Sequence, residues 1–338
     1  MTKRYLGNII TQNPTAPAGP YQDSAASGVW SLAEAFAYNK AGLWPTAGRP
    51  APVGLFVGNE TNVIQQFNIL TTGNAFDFGD LSYAPDNPAG CSSTTRGLFA
   101  GGYASSFRNN IEYVTISSAG NALDFGDLTV SRGYFSGLSN GTSGVFSGGV
   151  NSGGYINTID FVTIASTGNA SDFGDLLIVS GFNASCASPT RGLIRTAFDG
   201  SSRNNTIEFI TTASTGNAAD FGDASYVASG PFGCSNSTRG IFSGGFDGSS
   251  QKNQIEYVTI ASAGNVTDFG DLTQARSQGV GVTGGDRAVF VAGTTGGKVN
   301  TMDYVTITTT GNAVDFGDAL AVATGLGGCS NAHGGLAA

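Results

Sequence analysis

The sequence is short of the residues that most often carry chemistry. Charged residues make up 12% of its 338 residues, about half the usual globular share of roughly 25%. It has four cysteines, no Cys-x-x-Cys pair and a single histidine, so it offers no standard ligand set for zinc. His333 replaces the arginine of a recurring Thr-Arg-Gly turn, and no isolated acid–base pair accompanies it. We therefore expect a protein that is not an enzyme and that uses no cofactor or metal.

Long apolar runs and basic clusters are also missing. No stretch of about 18 apolar residues is present, so we expect no membrane insertion. No apolar segment follows the first residues, so we expect no secretory signal peptide. The net charge is −9 without a basic run, and nucleic-acid binding needs clustered Lys and Arg. Nucleic acid is therefore not an expected partner.

What the sequence does have is a repeat. Asp-Phe-Gly-Asp occurs six times at intervals of 47 or 48 residues, and the copies begin at Asp77, Asp124, Asp172, Asp220, Asp268 and Asp315. A fixed period of this size indicates a repeat architecture. A motif that builds a structural unit recurs in this way, whereas a catalytic motif is needed once.

Each repeat reads as four short strands, here called a, b, c and d, separated by turns. Four strands in fewer than 50 residues predict one blade of a β-propeller. The first repeat lacks strand a, and Gly328-Cys-Ser-Asn near the C-terminus supplies one. We predict an all-β, six-bladed propeller over residues 51–338, closed by the C-terminal strand. Residues 1–50 form a separate region.

Two features of the repeat are explained by packing and hydrogen bonding within the fold. The cysteines lie 14 residues after the first Asp of the motif, where other repeats have Leu138 or Val282, so we expect buried free thiols. The motif's Phe is expected to pack between blades, its Gly to permit a bend, and its acids to accept hydrogen bonds from backbone or from Arg96, Arg191 and Arg239. Paired carboxylates for glycosidase chemistry and calcium held by residues such as Asn217, Asp220 and Asp223 are the weaker alternatives.

Variation concentrates in the loops between strands b and c, which share one face of the disc with the d–a loops. Loops on a rigid scaffold are where binding residues concentrate, although drift in solvated loops would give the same variation. The candidate ligand-binding residues are the aromatic and basic side chains of these loops: Tyr103, Phe107, Arg108, Tyr155, Phe198, Arg203, Phe246, Lys252 and Lys298.

The first 50 residues have a different character. Three prolines predict an extended arm, and a capping box at Ser31 and Glu34 predicts one short helix that ends near Gly42. A helix of about ten residues is not stable alone. We therefore expect its apolar residues to dock on another chain rather than on the propeller, and the candidate docking residues are Trp30, Leu32, Phe36 and Trp44.

Two resemblances extend these expectations. Gly-Gly ending strand b, an acid–aromatic pair such as Glu112-Tyr113, and an aromatic in strand d resemble the kelch repeat, although the kelch Trp is Phe here. The consensus Tyr-Val-Thr-Ile-Ala-Ser-Thr-Gly-Asn-Ala-x-Asp-Phe-Gly-Asp-Leu and the leader from Ala26 resemble virion structural proteins of marine phages, particularly cyanophages.

The phage resemblance implies a function and a location. It implies a non-enzymatic tail fibre, appendage or head decoration, located on the virion. The implied partners are other virion proteins reached through the arm, a host-surface glycan or receptor, and further copies of the chain in a homo-oligomer within the particle. The alternative is a secreted or cell-surface carbohydrate-binding lectin.

Overall fold

The computed structural model describes residues 51–336 together with Ala33. The predicted arm and the docking candidates Trp30, Leu32, Phe36 and Trp44 lie outside the described residues.

Residues 51–336 fold into β-strands joined by turns and loops. In chain order the strands are β1 (Val53–Gly58), β2 (Val63–Asn68), β3 (Phe76–Asp80), β4 (Ala89–Ser92), β5 (Arg96–Ala100), β6 (Tyr103–Ala104), β7 (Ser106–Phe107), β8 (Asn110–Thr115), β9 (Leu123–Asp127), β10 (Ser136–Ser139), β11 (Ser143–Ser147), β12 (Val150–Asn151), β13 (Gly154–Tyr155), β14 (Thr158–Thr163), β15 (Ser171–Asp175), β16 (Ala184–Ala187), β17 (Arg191–Arg195), β18 (Thr206–Thr211), β19 (Ala219–Asp223), β20 (Phe232–Ser235), β21 (Arg239–Ser243), β22 (Gln254–Thr259), β23 (Thr267–Asp271), β24 (Val280–Gly284), β25 (Arg287–Thr294), β26 (Lys298–Thr306), β27 (Val314–Ala323) and β28 (Leu326–Ser330).

Six antiparallel four-stranded sheets make up a six-bladed β-propeller. The blades, written from strand a to strand d, are β28-β1-β2-β3, β4-β5-β8-β9, β10-β11-β14-β15, β16-β17-β18-β19, β20-β21-β22-β23 and β24-β25-β26-β27, numbered 1 to 6 in that order. In blade 1 the last described strand pairs with the first, with Gly54 opposite Ser330 and Gly58 opposite Leu326.

The hydrophobic core is divided among the boundaries between blades. Six clusters of buried side chains each join two neighbouring blades. One of them joins blade 6 to blade 1, where the rings of Phe316 and Phe67 meet edge-on with centroids 5.4 Å apart. Because no blade buries its own faces alone, stability depends on every boundary.

The Asp-Phe-Gly-Asp motif forms a β-bulge in strand d of every blade. In blade 3, Asp160 lies opposite Asp172 and Ile159 opposite Gly174, so Phe173 is the extra residue. The same shift occurs in the other five blades. The six motif phenylalanines are 2–3% exposed, and the motif glycines have φ between 146° and 150°. The predicted roles of Phe and Gly are confirmed.

The motif also ties neighbouring blades together at the outer rim. In blade 2, the Asp127 N–H donates to the Asn169 side-chain oxygen of blade 3 at 3.1 Å, and the Phe125 carbonyl accepts from the Gly168 N–H at 2.7 Å. Equivalent side-chain bonds of 3.0–3.1 Å join the other five boundaries. We call this set of contacts the rim belt.

The expected arginine partners of the motif behave differently. Arg96, Arg191 and Arg239 each donate from Nη1 to an isoleucine carbonyl of the next blade, at 2.7–3.0 Å. Their guanidinium groups lie 4.2–4.5 Å from the ring centroid of the aromatic in their own strand c. These arginines therefore join neighbouring blades through hydrogen bonds to backbone carbonyls. No ion pair of residues 51–336 joins them to a motif aspartate.

A second inter-blade contact uses the residue of strand c that faces the bulge. In blade 3 it is Asp160, which accepts from the Thr129 N–H at 3.1 Å and from the Thr129 hydroxyl at 2.6 Å. Gln65, Glu112, Glu208, Glu256 and Asp303 accept a backbone N–H from the preceding blade at the equivalent positions. These six contacts tie strand c of each blade to the segment that follows the motif in the preceding blade.

All four cysteines are buried free thiols, as expected. The Cys91 sulfur of blade 2 lies 2.6 Å from the point where a Cβ on Gly144 of blade 3 would stand. In the next boundary Leu138 fills the same space against Gly192. The cysteine position is thus an inter-blade packing position.

Candidate binding face

One face of the disc, here called the loop face, carries the b–c loops and the d–a linkers. In blades 2 and 3 the b–c loops form small hairpins, β6–β7 and β12–β13. In blades 4 and 5 they are tight turns in which the carboxylates of Asp199 and Asp247 each accept two backbone N–H groups at 2.7–2.8 Å. Asx turns of this kind hold short loops in one conformation, so hydrogen bonds fix the conformation of these two loops.

Three of the predicted residues meet between blades 4 and 5. The Arg203 guanidinium lies 5.4 Å from the ring centroid of Phe198 and 4.9 Å from that of Phe246. Its Nε also donates to the Ser229 hydroxyl at 3.3 Å. All three predicted side chains are partly exposed, and cations over aromatic faces are attracted by the ring quadrupole. We call this group the Arg203 clamp.

The remaining predicted residues fall into separate contacts. Lys252 forms an ion pair with Asp247 at 2.6 Å. Phe198 also meets Tyr155 edge-on, and Tyr103 meets Phe107 in the same way, both with centroids 5.4 Å apart.

Two predicted basic residues lie in the first and last of these loops, those of blades 2 and 6. Arg108 lies 5.9 Å from the ring centroid of Tyr83, and Lys298 is exposed at the start of β26. The aromatic candidates therefore occupy blades 2 to 5, and the b–c loop of blade 6 contributes only Lys298 to the predicted set.

A closed ring of backbone hydrogen bonds surrounds the opening of the central channel of the propeller on this face, here called the channel mouth. The tenth residue after the first Asp of each motif lies in the d–a linker and donates its N–H to the carbonyl of its counterpart in the preceding blade, at 2.6–3.1 Å. The six residues of this mouth ring are Asn87, Tyr134, Phe182, Gly230, Gln278 and Gly325. All have φ between 51° and 65°, the left-handed region that side chains other than Gly, Asn and Asp rarely adopt.

Two mouth-ring aromatics lie side by side. The rings of Tyr134 and Phe182 have centroids 4.6 Å apart and planes inclined by 46°. Sequence analysis did not select them, because it searched the b–c loops and left out the d–a linkers. The signal was available: the six positions repeat at the same 47- or 48-residue interval as the motif.

Below the mouth ring, the strands a of all six blades line a central cavity of about 120 Å³. Its far end is crossed by the segment after β28. There the His333 Nε2 lies 3.0 Å from the Ser92 carbonyl and 3.0 Å from the Ser139 hydroxyl. His333 begins a turn, as expected, since its carbonyl accepts the Leu336 N–H at 3.1 Å, and its side chain also contacts the strands a of blades 2 and 3.

The bonding of His333 fixes its neutral form. The Gly335 N–H donates to Nδ1 at 3.1 Å, so Nε2 carries the proton and donates to the Ser92 carbonyl. Burial lowers the pKa of His333 to about 4. The neutral imidazole therefore closes this end of the channel through its hydrogen bonds. The mouth ring surrounds the opposite end.

Among residues 51–336, no group of three or more His, Cys, Asp or Glu side chains converges as metal ligands would. The Asn217 oxygen, one of the calcium candidates, accepts the Asp175 N–H in the rim belt. No helix of the described residues is long and apolar enough to cross a bilayer.

Comparison with protein-family models gives no match. Comparison with curated proteins also gives none.

Proposed function

We propose that the chain is a non-enzymatic structural protein of a phage virion: a tail fibre, appendage or head decoration. Residues 1–50 dock on other virion proteins, and a kelch-type propeller, closed by its C-terminal strand, is displayed outward. Several copies form a homo-oligomer in the particle. The repeat wording and the leader, which resemble marine phage virion proteins, support the virion location. The pairing of β28 with β1 supports the closure.

The displayed face binds a host-surface glycan or receptor in this proposal. The observation that carries it is the Arg203 clamp, in which a partly exposed guanidinium is held between two aromatic rings of adjacent blades. A fixed guanidinium can make paired hydrogen bonds to carboxylate or phosphate groups. Such groups are the chemistry we expect at this part of the face.

Mass spectrometry of purified virions tests the location. A chain found only among secreted proteins of a bacterium would favour the lectin alternative. The binding role is tested by adsorption of the propeller to an array of bacterial lipopolysaccharide and capsule glycans.

Arg203→Gln removes the charge of the clamp, and we expect glycan retention to fall at least tenfold. Thr215→Ala, an exposed position in a c–d turn on the opposite face, is the matched control. Asn265 is unsuitable as a control because its side chain accepts the Asp223 N–H in the rim belt. Equal retention by Arg203→Gln and Thr215→Ala would contradict a binding role for the clamp.

A further inference from the structure

The mouth ring has the same backbone in all six blades but not the same side chains. Gly230 and Gly325 have φ of 65°, and Tyr134 and Phe182 have φ of 60° and 61°. Glycine therefore makes the ring hydrogen bond in this conformation without strain. A bulky aromatic residue at positive φ is an outlier. The ring therefore does not need these two side chains for its backbone hydrogen bonds.

The two aromatics form one side of a small pocket. Gly230 and Gln278 are among the other residues around this mouth pocket of about 40 Å³, which lies at the entrance to the central cavity. The Tyr134–Phe182 pair offers a surface to C–H groups. Both residues are only partly buried, so the surface is accessible from the loop face.

Amide side chains stand where the glycines leave room. A Cβ on Gly230 would lie 2.7 Å from the Gln278 Cγ, and a Cβ on Gly325 would lie 2.6 Å from the Asn87 Nδ2. A carboxamide both donates and accepts hydrogen bonds. The mouth therefore combines an aromatic surface with two carboxamides. The Gln278 oxygen already accepts from the Thr324 hydroxyl at 3.3 Å, and Asn87 bonds to the Asp86 carboxylate, so their remaining donor and acceptor positions are the ones open to hydroxyls.

Charged side chains lie near the mouth but are not among the described residues that line it. Burial first, and then the nearby carboxylate of Asp86, raises the pKa of Tyr134, with Glu60 contributing in the same direction. Lys298 offsets part of this charge at Asp86, and no basic side chain among the described residues lines the mouth pocket as Arg203 does the clamp. A neutral ligand with several hydroxyls and an apolar ring face fits both the side chains and the field.

We propose that the channel mouth, built by Asn87, Tyr134, Phe182 and Gln278, is a subsite for one neutral sugar residue. The inference rests on the proposed glycan-binding function and gives it a second, uncharged subsite. The sugar ring lies on the Tyr134–Phe182 pair, and its hydroxyls meet the two carboxamides. An acidic residue of the same glycan is then left to the Arg203 clamp.

The chain provides its own substitution for the test. Tyr134→Gly and Phe182→Gly introduce the residue type that already occupies the ring at Gly230 and Gly325. The backbone conformation of the mouth ring should therefore be unchanged. The full-length protein is examined by saturation-transfer NMR with methyl glycosides of glucose, galactose and mannose, and with glucuronic acid. Leu123→Ser is the control, because Leu123 is an exposed rim residue and Ser171 occupies its equivalent in blade 3.

We expect a neutral glycoside to bind the wild type and the control, and glucuronic acid to bind more weakly at this subsite. Each glycine variant should bind the neutral glycoside at least tenfold more weakly, with a melting temperature equal to or above that of the wild type.

Two results overturn the inference. One is unchanged glycoside binding by both glycine variants, and the other is a lowered melting temperature with binding intact, which would make the aromatics structural. If Arg203→Gln loses array glycans in either case, the proposed function stands without this subsite. A wild type that retains no array glycan would reject the glycan-binding role and the subsite together.

Discussion

The Glu208 carboxylate accepts a 2.8 Å hydrogen bond from the Leu177 N–H across the boundary between blades 3 and 4. Its second oxygen has no hydrogen-bond partner among the described residues, and the side chain is buried. The equivalent Asp160 and Asp303 instead pair with Arg132 and Arg276 at 3.0 Å. Burial raises the pKa of Glu208 from 4.5 to about 7.

This raised pKa predicts a pH dependence of stability. Between pH 4.5 and about 7 the folded chain holds a proton on Glu208 that the unfolded chain has released. The contribution is therefore fully present below pH 4.5 and is lost as pH rises through 7. The loss is at most about 3 kcal/mol, since one pKa unit is about 1.4 kcal/mol.

Glu208→Gln should remove this loss and raise the free energy of unfolding at pH 8. Gln65 already accepts the equivalent hydrogen bond, from the Leu320 N–H at 2.9 Å, so the variant has a precedent in the chain. Urea unfolding of both proteins at pH 5 and pH 8 is the measurement. Asp160→Asn is the contrast: it should cost about 3–5 kcal/mol at both pH values, because it leaves Arg132 buried without its partner. An equal pH dependence in wild type and Glu208→Gln would contradict the assignment.

The Cys91 position predicts which substitutions the core tolerates. Cys91→Val should cost less than about 1.5 kcal/mol, since Val282 fills the equivalent site in blade 6. Cys91→Ser has nearly the same volume and should cost about 1–3 kcal/mol, because it buries a hydroxyl. Denaturant unfolding of the two variants measures the difference.

The thiols should also be protected from modification in the folded chain. Burial raises the pKa of Cys234 to about 12 and that of Cys91 well above its ordinary value, and the thiolate is the reactive form. Ellman's reagent should therefore react slowly with the native protein and with all four thiols after unfolding without reductant. A count below four after unfolding would contradict the free-thiol state.

Periodicity in the sequence is informative where every blade needs the same kind of residue. It located Phe173 and its five equivalents in the core, because a buried position must recur in each blade. It did not reveal that Phe173 is the extra residue of a bulge, because the pairing register depends on contacts with strand c. The sequence offered Arg96, beside nearby backbone, as a hydrogen-bond donor to the motif's acids, but Arg96 donates to the Ile164 carbonyl of the next blade.

The candidate site was less accessible to sequence reasoning. Phe198, Arg203 and Phe246 were found because their loops vary. The repeat interval locates Tyr134 and Phe182 in the d–a linkers, which were left out, but the left-handed backbone that distinguishes them cannot be read from a Tyr or a Phe. The ion pair of Lys252 with Asp247 depends on the turn geometry. The sequence Phe-Asp-Gly-Ser-Ser, which residues 198–202 and 246–250 share, does not specify that geometry.

Gly126 predicts how strongly the rim belt resists change. A Cβ on Gly126 would lie 2.4 Å from the carbonyl oxygen of Gly168 in the next blade, whereas a Cβ on Gly120 meets nothing within 4 Å. Both have positive φ, 146° and 158°, so the pair separates the clash from the backbone strain. Gly126→Ala should cost about 2 kcal/mol more than Gly120→Ala in thermal unfolding. Equal costs would show that the belt yields to an added methyl group.

Strand β28 predicts a global effect of a small truncation. A chain that ends at Gly325 loses the strand that pairs with β1 and the buried Cys329. Removal of buried apolar groups alone costs about 2–5 kcal/mol each, so the whole propeller should unfold at a lower temperature in one transition.

A chain that ends at Ala332 is the control for this truncation. It keeps β28 and removes only His333 and the residues after it, so it should lose much less. A melting temperature for the Gly325 truncation equal to that of the full chain would contradict closure by this strand.

The N-terminal region predicts a separation of folding from assembly. Removal of residues 1–48 should leave a folded, soluble propeller, because the six inter-blade clusters are formed within residues 51–336. The shortened chain should fail to join virions, because the docking candidates have been removed.

Trp30→Ala with Trp44→Ala in the full chain should weaken incorporation without changing the melting temperature. Particle composition by mass spectrometry and thermal unfolding of the free protein are the two measurements. A shortened chain that unfolds would show that the first 48 residues stabilise the propeller itself, and the docking role would then be rejected.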